Sequence, residues 1–463
     1  MARNRIIYQS QALFIAPNST QAHLQTGSAT SSDSWSGAGA GAGWSGVTGV
    51  SAGAKLRSLV TPLERIQSAN FNFSINRQDI NEFGKLARLD SIAMEAPTVG
   101  LDFNYYLTDG GNERKLGFNI PTNQIASRGD AAYNTGDLAL SGISSLSGHI
   151  ADNEGNNFFI LVAPEGQDVD QSTVDTSSYE VVGIGNGFVS DYSIDASVGA
   201  IPTASVTVEG FNIKVDDRIS GSAVGGTTPE APYVPAIDFV NGSYATGSSS
   251  INQFVIQGAN ALSDNVIDTT GDAGTPSALR PGDITFSMSG SGSYQGFTQM
   301  SGDGEAHLQS MSISVPMSRT ILQRLGNTFG YARVVDLPLN LEVSLSVIVA
   351  ELKKNNLFHK LCHTEKHNFT LTMYKCDPTT GQRGTDIMVQ FVFKGARLDS
   401  ETFSNNIGDN QTADLTFSCQ VGGANDTVNG LEMLGSYQLF RTLRFFPLGA
   451  AKALAASYSS VNG

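Results

Sequence analysis

Half of the six histidines in this chain fall within nine residues. His359, His363 and His367 surround Cys362, and His359 with His363 forms an i, i+4 pair. At that spacing two imidazoles on one helix face can share a metal ion. A catalytic zinc needs a third ligand, and the usual helical motif carries a glutamate between its histidines; Lys360, Leu361 and Cys362 stand there instead. The pair is a weak metal candidate beside the plainer reading, a solvated helix end. Gly41-Ala42-Gly43-Trp44-Ser45-Gly46 fits G-x-G-x-x-G, but no apolar strand leads into it and no helix follows. Gly49-Val50-Ser51-Ala52-Gly53 fits the nucleophile motif G-x-S-x-G in the same low-complexity stretch, without the strand-to-helix turn that motif requires. The acidic turns at Asp109-Gly110-Gly111, Asp152-Asn153-Glu154-Gly155 and Asp377-Pro378 lack the closing glutamate of an EF-hand and read as β-turns. No acid, base or nucleophile constellation emerges, so the expectation is a non-enzyme that holds no cofactor.

The elements that would have to position such groups occur twice. Ile66-Gln67-Ser68-Ala69-Asn70-Phe71-Asn72-Phe73-Ser74-Ile75-Asn76-Arg77, running on to Gly84, matches Leu308-Gln309-Ser310-Met311-Ser312-Ile313-Ser314-Val315-Pro316-Met317-Ser318-Arg319, running on to Gly326, at an offset of 242 (66 to 308). Each window reads as an alternating strand, a polar cap (Asn76 or Ser318), an amphipathic turn of helix and a closing glycine. Leu101 through Tyr105 matches Leu341 through Leu345 at offset 240, and Asn157-Phe158 matches Asn368-Phe369 at offset 211. Gly187 through Val208 follows Gly395 through Phe417 at offsets 208 to 209, pairing Asp191 with Asp399, Gly199 with Gly408, Ala204 with Ala413 and Thr207 with Thr416. The expected organisation is an N-terminal strand and Gly/Ser-rich arm over 1–59, a first copy over 60–214 and a linker or insertion over 215–280. A second copy over 281–425 and a C-terminal tail over 426–463 complete it.

Composition bounds the class. Charged residues are 15% of the chain, hydrophobic residues 40% and glycines number 50, a balance that excludes disorder and favours β-rich structure. The net charge of −15 argues against gripping nucleic acid, because that attraction comes from Lys and Arg. The three cysteines, Cys362, Cys376 and Cys419, show no C-x-x-C and their odd number argues against a disulfide framework, so folding in a reducing cytoplasm is expected. The first residues do not read as a signal peptide, and no run approaches the roughly 18 apolar residues of a membrane span. Both tryptophans, Trp35 and Trp44, sit in the glycine arm as aromatic anchors for a neighbour. Val349 to Leu361 reads as a helix. The tail carries Arg441, Arg444, Phe445 and Phe446, a basic and apolar mixture suited to docking in an acidic protein. These six residues are the candidate assembly contacts.

The stretch Ile66 to Gly84, the strand Leu101-Asp102-Phe103-Asn104-Tyr105-Tyr106 and the segment Val198 to Gly210 resemble the major tail tube proteins of tailed bacteriophages. The resemblance covers about two-thirds of the chain and leaves out the arm, residues 215–280 and the tail. It implies a mainly β fold with a few short helices, as two tandem tail-tube-like β-sandwich or barrel domains with flanking helices. It further implies a virion structural protein, assembled in the host cytoplasm with other tail proteins. Rings of six domains, here trimers with pseudo-sixfold symmetry, would stack into a tube for DNA ejection, with double-stranded DNA passing unbound and no membrane partner. The alternatives are a capsid decoration, neck or tail-terminator protein, and a secreted β-rich adhesin or surface-layer protein, which should carry an export signal.

Overall fold

Apolar and polar residues alternate along most of this chain, broken by Gly, Asn and Ser, and such segments form half-buried strands. The computed structural model describes residues 11–17, 61–120, 144–151, 155–163, 180–216, 237–238, 243–244, 278–289, 306–326, 329–349, 366–377, 379–404, 410–423, 426 and 428–436. The fold is mainly β with a few short helices. The first half contains β1 (Gln11–Pro17), β2 (Thr61–Pro62), β3 (Ile66–Ser74), β4 (Arg77–Ile80), β5 (Asp90–Ala93) and β6 (Thr98–Tyr106). Helices α1 (Gly111–Leu116) and α2 (Ser147–Ala151) follow, then β7 (Asn156–Val162), β8 (Glu180–Ser197), β9 (Thr203–Gly210) and β10 (Asn212–Asp216). A small hairpin, β11 (Ile237–Asp238) with β12 (Ser243–Tyr244), lies in the passage between the halves. The second half contains β13 (Ile284–Ser289), β14 (Ala306–Pro316), β15 (Arg319–Leu322), β16 (Ala332–Val335) and β17 (Asn340–Val349). It continues with β18 (His367–Cys376), β19 (Arg383–Ser404), β20 (Thr412–Gln420) and β21 (Gly430–Gly435).

All ladders are antiparallel, and the two halves share one strand order. In the first, β3, β6, β9 and β8 lie side by side; β8 then leaves that sheet to pair with β7 and β10, and β1 flanks β7. In the second, β14, β17, β20 and β19 lie side by side; β19 pairs with β18 and β21, and β13 flanks β18. Hence β1 pairs into the first half's sheet although the sequence reading set it with the arm, and β21 pairs into the second although that reading set it with the tail.

Irregularities repeat as well as strands. Bulges interrupt β3 between Ile66 and Ser68 and β14 between Leu308 and Ser310. The extra residue is a glutamine both times: Gln67 donates its side-chain amide to the Arg65 carbonyl (3.1 Å), Gln309 to that of His307 (3.4 Å). A second pair of bulges falls where β8 and β19 change sheets. Asn186 (φ 51) and Gly395 (φ 75) are left-handed there, and their backbone N–H groups donate to Asn157 Oδ1 (3.1 Å) and Asn368 Oδ1 (3.0 Å). Bulges re-aim strands and increase local twist, so these bends steer β8 and β19 from one sheet into the other.

Register corrects four readings. Phe71 faces Leu101 while Ile313 faces Val343, so Leu101 corresponds to Val343 and the offset stays 242, where the sequence comparison gave 240. Asp191 faces Thr207 while Ser400 faces Thr416, so Asp191 corresponds to Ser400 and not to Asp399, which occupies the bulge. Gly395 corresponds to Asn186, since each receives the asparagine bond described above, and not to Gly187. The helical turn expected after Asn76 and Ser318 is a hairpin in both halves: β4 pairs with β5 and β15 with β16, with identical register at offset 242. A single helical turn fixes several residues for one hydrogen bond, whereas the hairpin pairs its own backbone. Gly84 (φ 91) and Gly326 (φ 93) close those loops in the left-handed region. Of the expected helix from Val349, residues 350–361 lie outside the described residues.

One hydrophobic core runs through both halves, from Leu13 and Phe103 to Phe417 and Met433. Along β6, Val99, Leu101, Phe103 and Tyr105 point into it. Each such side chain contributes about 1.5–3 kcal/mol by leaving water.

Candidate functional site

The halves meet edge to edge, β8 against β14. Ser310 faces Ser197, Ile313 faces Ile194, Ser314 faces Ser193 and Val315 faces Tyr192, without a break in register. One sheet therefore runs β3-β6-β9-β8-β14-β17-β20-β19 among the described residues. Its inner face is the core. Its other face carries hydroxyls, amides and carboxylates: Asn104 and Asp102 on β6, Asp195 on β8, Ser312 on β14, Glu342 and Ser344 on β17, Asp414 and Thr416 on β20. Neighbouring strands are laced across this face, Thr207 Oγ1 donating to Asp102 Oδ1 (2.8 Å) and Ser346 Oγ to Asp414 Oδ1 (2.7 Å). Arg397, opposite Ser418 on β19, is the sole cation paired onto that face among the described residues of these strands.

Side chains lock the junction. The β15–β16 hairpin of the second half brings Arg319 to 4.8 Å and Arg333 to 5.5 Å from the Phe188 ring centre, and Arg333 to 5.0 Å from that of Phe211. Arg333 also ion-pairs with Glu209, and Arg319 donates to the His149 carbonyl. Cation–π contacts at desolvated sites contribute about 2 kcal/mol or more, so this clamp is a substantial attachment.

On the core side, α1 bonds to first-half strands, and the segment around α2 reaches the second half. Ser145 donates its backbone N–H to the Leu431 carbonyl (2.9 Å), and its hydroxyl accepts from the Met433 N–H (2.7 Å). Glu113, buried on α1, accepts from Tyr105 Oη (2.8 Å) and Tyr192 Oη (3.1 Å); burial raises its carboxyl above the ordinary range against those hydrogen bonds. Lys115 reaches Glu64 Oε1 (3.1 Å), and its charge holds the Glu64 carboxyl below the ordinary range. His149 packs edge-on against Phe118 at 4.4 Å, and burial, with Arg319 nearby, pushes its imidazole down to about 3. The bonds of Glu113 and Lys115 brace the first half, while those of Ser145 to Leu431 and Met433, and of the His149 carbonyl to Arg319, tie the halves together.

The sheet ends differently. Among the described residues β3 pairs with β6 alone, so its outer edge meets no strand, and Phe71 and Phe73 are 45% and 62% exposed. Their counterparts Ile313 and Val315, on the edge covered by β8, are both 0% exposed. At the opposite end the last residues of β19 pair with β20 alone among the described residues, leaving Phe403 46% exposed. Exposed edge strands recruit other strands, and an apolar stretch on one marks an interaction site.

Trp35, Trp44, His359, Cys362, His363, Arg441, Arg444, Phe445 and Phe446 lie outside the described residues. His367 lies on β18 with its ring 5.9 Å from that of Phe417, and among the described residues no group of three His, Cys, Asp or Glu side chains is placed to hold a metal. Cys419 is buried, which pushes its thiol up to about 12. The sequence does not distinguish Phe71, Phe73 and Phe403 as edge residues, because an alternating strand reads alike whether or not another strand covers its edge.

No protein-family model matches the chain, and no curated protein matches it. Solved structures with a likeness to part of it include the baseplate of the anti-feeding prophage, at 11% identity over 34% of this chain and 94% of that one, with a TM-score of 0.21. The sheath-tube complex of an extracellular contractile injection system matches at 16% identity over 32% and 88%, TM-score 0.20. An Hcp protein matches at 11% over 32% and 97%, TM-score 0.18. Likenesses at these scores do not bear on what the chain does.

Proposed function

We propose that this chain is a non-enzymatic structural protein of a tail-like virion particle, whose copies close into rings and stack into a tube that conducts double-stranded DNA. The observation that carries this reading is the continuous sheet from β3 to β19, buried on one face, hydroxyl-rich and acidic on the other, and unpaired at both ends among the described residues. A sheet that cannot end in water without exposing its edges is completed by closing on further copies, and closure of a head-to-tail contact gives a ring. With two similar halves per chain, three chains make a ring of six positions, the number implied by the resemblance to tail tube proteins. The polar face then lines the channel. Asp102, Asp195, Glu342 and Asp414 on that face repel phosphates at close range, within the Debye length of about 8 Å at physiological salt, so DNA passes without being held. Stacking finds support in the hairpins, whose tips expose Phe83 and Leu325 at corresponding positions of the two halves.

Negative-stain electron microscopy of the purified protein over a range of concentrations tests this. Tubes or stacked rings with a central hole are expected. Single rings that never stack would favour a neck or terminator role, and solid particles without a pore would overturn the reading.

A further inference from the structure

The paired edge inside the chain is a template for the unpaired ones. β14 is the counterpart of β3 at offset 242, fixed by the shared glutamine bulge and hairpin register. β19 is the counterpart of β8 at offset 209, fixed by Val189 facing Val208 as Leu398 faces Phe417. The β14–β8 contact therefore transposes, residue by residue, into a β3–β19 contact. A single chain does not make it, because β3 and β19 lie at opposite ends of the sheet order.

We infer that β3 of one chain adds antiparallel to β19 of a second copy of this chain, with Phe71 opposite Phe403 and Asn72 opposite Thr402. The register follows from Ile313 facing Ile194 and Ser314 facing Ser193. It deepens the tube reading and rests on it, since it names the contact through which a ring closes. Three features of the strands fit. Two exposed phenylalanines, Phe71 and Phe403, meet on the apolar side of the sheet, where the template holds two fully buried isoleucines. Asn72 and Thr402 meet on the polar side, continuing the hydroxyl and amide surface. The backbone groups along β3 and β19 that face no strand among the described residues acquire partners, which gives affinity, while the side-chain pairs give register.

The transposed contact is not a copy of the template in its charges. The Arg333 position is occupied by Ser91, the Phe188 position by Arg397 and the Glu209 position by Ser418. Arg77 keeps the Arg319 position, but it would meet Arg397 where Arg319 meets the Phe188 ring, so the clamp that fastens the two halves is not reproduced at the junction between chains. The β3–β19 contact is held by strand pairing and the phenylalanines, and it is the junction at which a ring opens into whole chains.

Paired cysteines read the register directly. In full-length protein, Asn72→Cys with Thr402→Cys should form covalent dimers and trimers on oxidation under assembling conditions. The shifted pairs Asn72→Cys with Ser400→Cys and Asn72→Cys with Ser404→Cys should give at least tenfold less. Ser193→Cys with Ser314→Cys, the template pair, should close within one chain and add no mass. The wild-type chain, with its native cysteines, sets the background. Rings or tubes that form while the shifted pairs cross-link best, or while no β3–β19 pair cross-links, overturn this contact and leave the tube reading standing. Failure of every pair to cross-link, with no rings at any concentration, overturns both. Phe71→Asp guards against cysteine variants that misfold: it should retain the wild-type melting temperature and form no rings, and normal ring formation by it would also refute the contact.

Discussion

The β8–β14 junction and the pair of open edges use corresponding strands, and they differ in what covers them. Inside the chain, Ile313 and Val315 are sealed against β8 and the hairpin arginines grip Phe188, Phe211 and Glu209. At the ends, Phe71, Phe73 and Phe403 keep the apolar character of the strand with no strand over them among the described residues, and of the clamp only the Arg319 position keeps its residue type, as Arg77. The glutamine bulge, the bends of β8 and β19, the hairpin register and the loop glycines Gly84 and Gly326 have stayed the same, because backbone geometry tolerates little change. Side chains at the edge have diverged according to the neighbour each edge serves. A permanent contact within one chain supports buried arginines, whose desolvation is costly unless their partners are always present. A contact that forms and opens between chains is better served by side chains that tolerate water.

The largest expected effect breaks that comparison at matched positions. Ile313→Asp buries a charge in the finished junction and should lower folding stability by about 3–5 kcal/mol, seen as a lost or strongly lowered melting transition. Phe71→Asp, its counterpart, should leave unfolding of the isolated chain within about 0.5 kcal/mol of wild type while abolishing rings. Next comes the clamp. Arg333→Ala should cost about 2 kcal/mol in chemical denaturation, against a negligible effect of Ser91→Ala at the matching position.

A third prediction uses pH at the finished junction. Unfolded His149 takes up a proton near its ordinary value of 6.5, whereas in the fold burial delays this to about 3. The unfolded chain binds the extra proton throughout that window, so this group's contribution makes stability fall as pH drops from 6.5 toward 3. His149→Leu should flatten that loss, and thermal melts of both proteins at pH 7 and pH 4 check it: the variant should gain on wild type at the lower pH. The smallest effect concerns the repeated bulge. Gly395→Ala should cost about 1 kcal/mol, because the left-handed backbone disfavours a side chain and a Cβ would come within 2.7 Å of Asn429 Oδ1. At the matching position Asn186→Gly should shift stability by only a few tenths of a kcal/mol.

Much of the fold was legible in the sequence, and the site was not. The shared Gln, Ser, Arg and Gly at offset 242 marked β3 to β4 and β14 to β15 because short-range patterns specify strands and their breaks. A polar residue followed by a short run that ends on glycine, Asn76 to Gly84 and Ser318 to Gly326, carries the marks of a capped helical turn, and only strand pairing shows it to be a hairpin. The slips at Leu101 and Asp191 arose at strands where alternation repeats every two residues and a bulge adds one; only the pairing partner fixes such a register. Phe71 and Phe403 lie 332 residues apart (71 to 403), and nothing in either strand's sequence tells that both edges are uncovered. Edge exposure is a property of the whole sheet, so it became visible once the strand order was known.

The most direct measurement is a cryo-EM reconstruction of the assembled rings at a resolution that separates strands. The account predicts three chains per ring and an unbroken inner sheet, in which β3 of each chain pairs with β19 of the next at Phe71 and Phe403. A ring in which β3 faces solvent, or in which the halves of different chains meet through other strands, would contradict it.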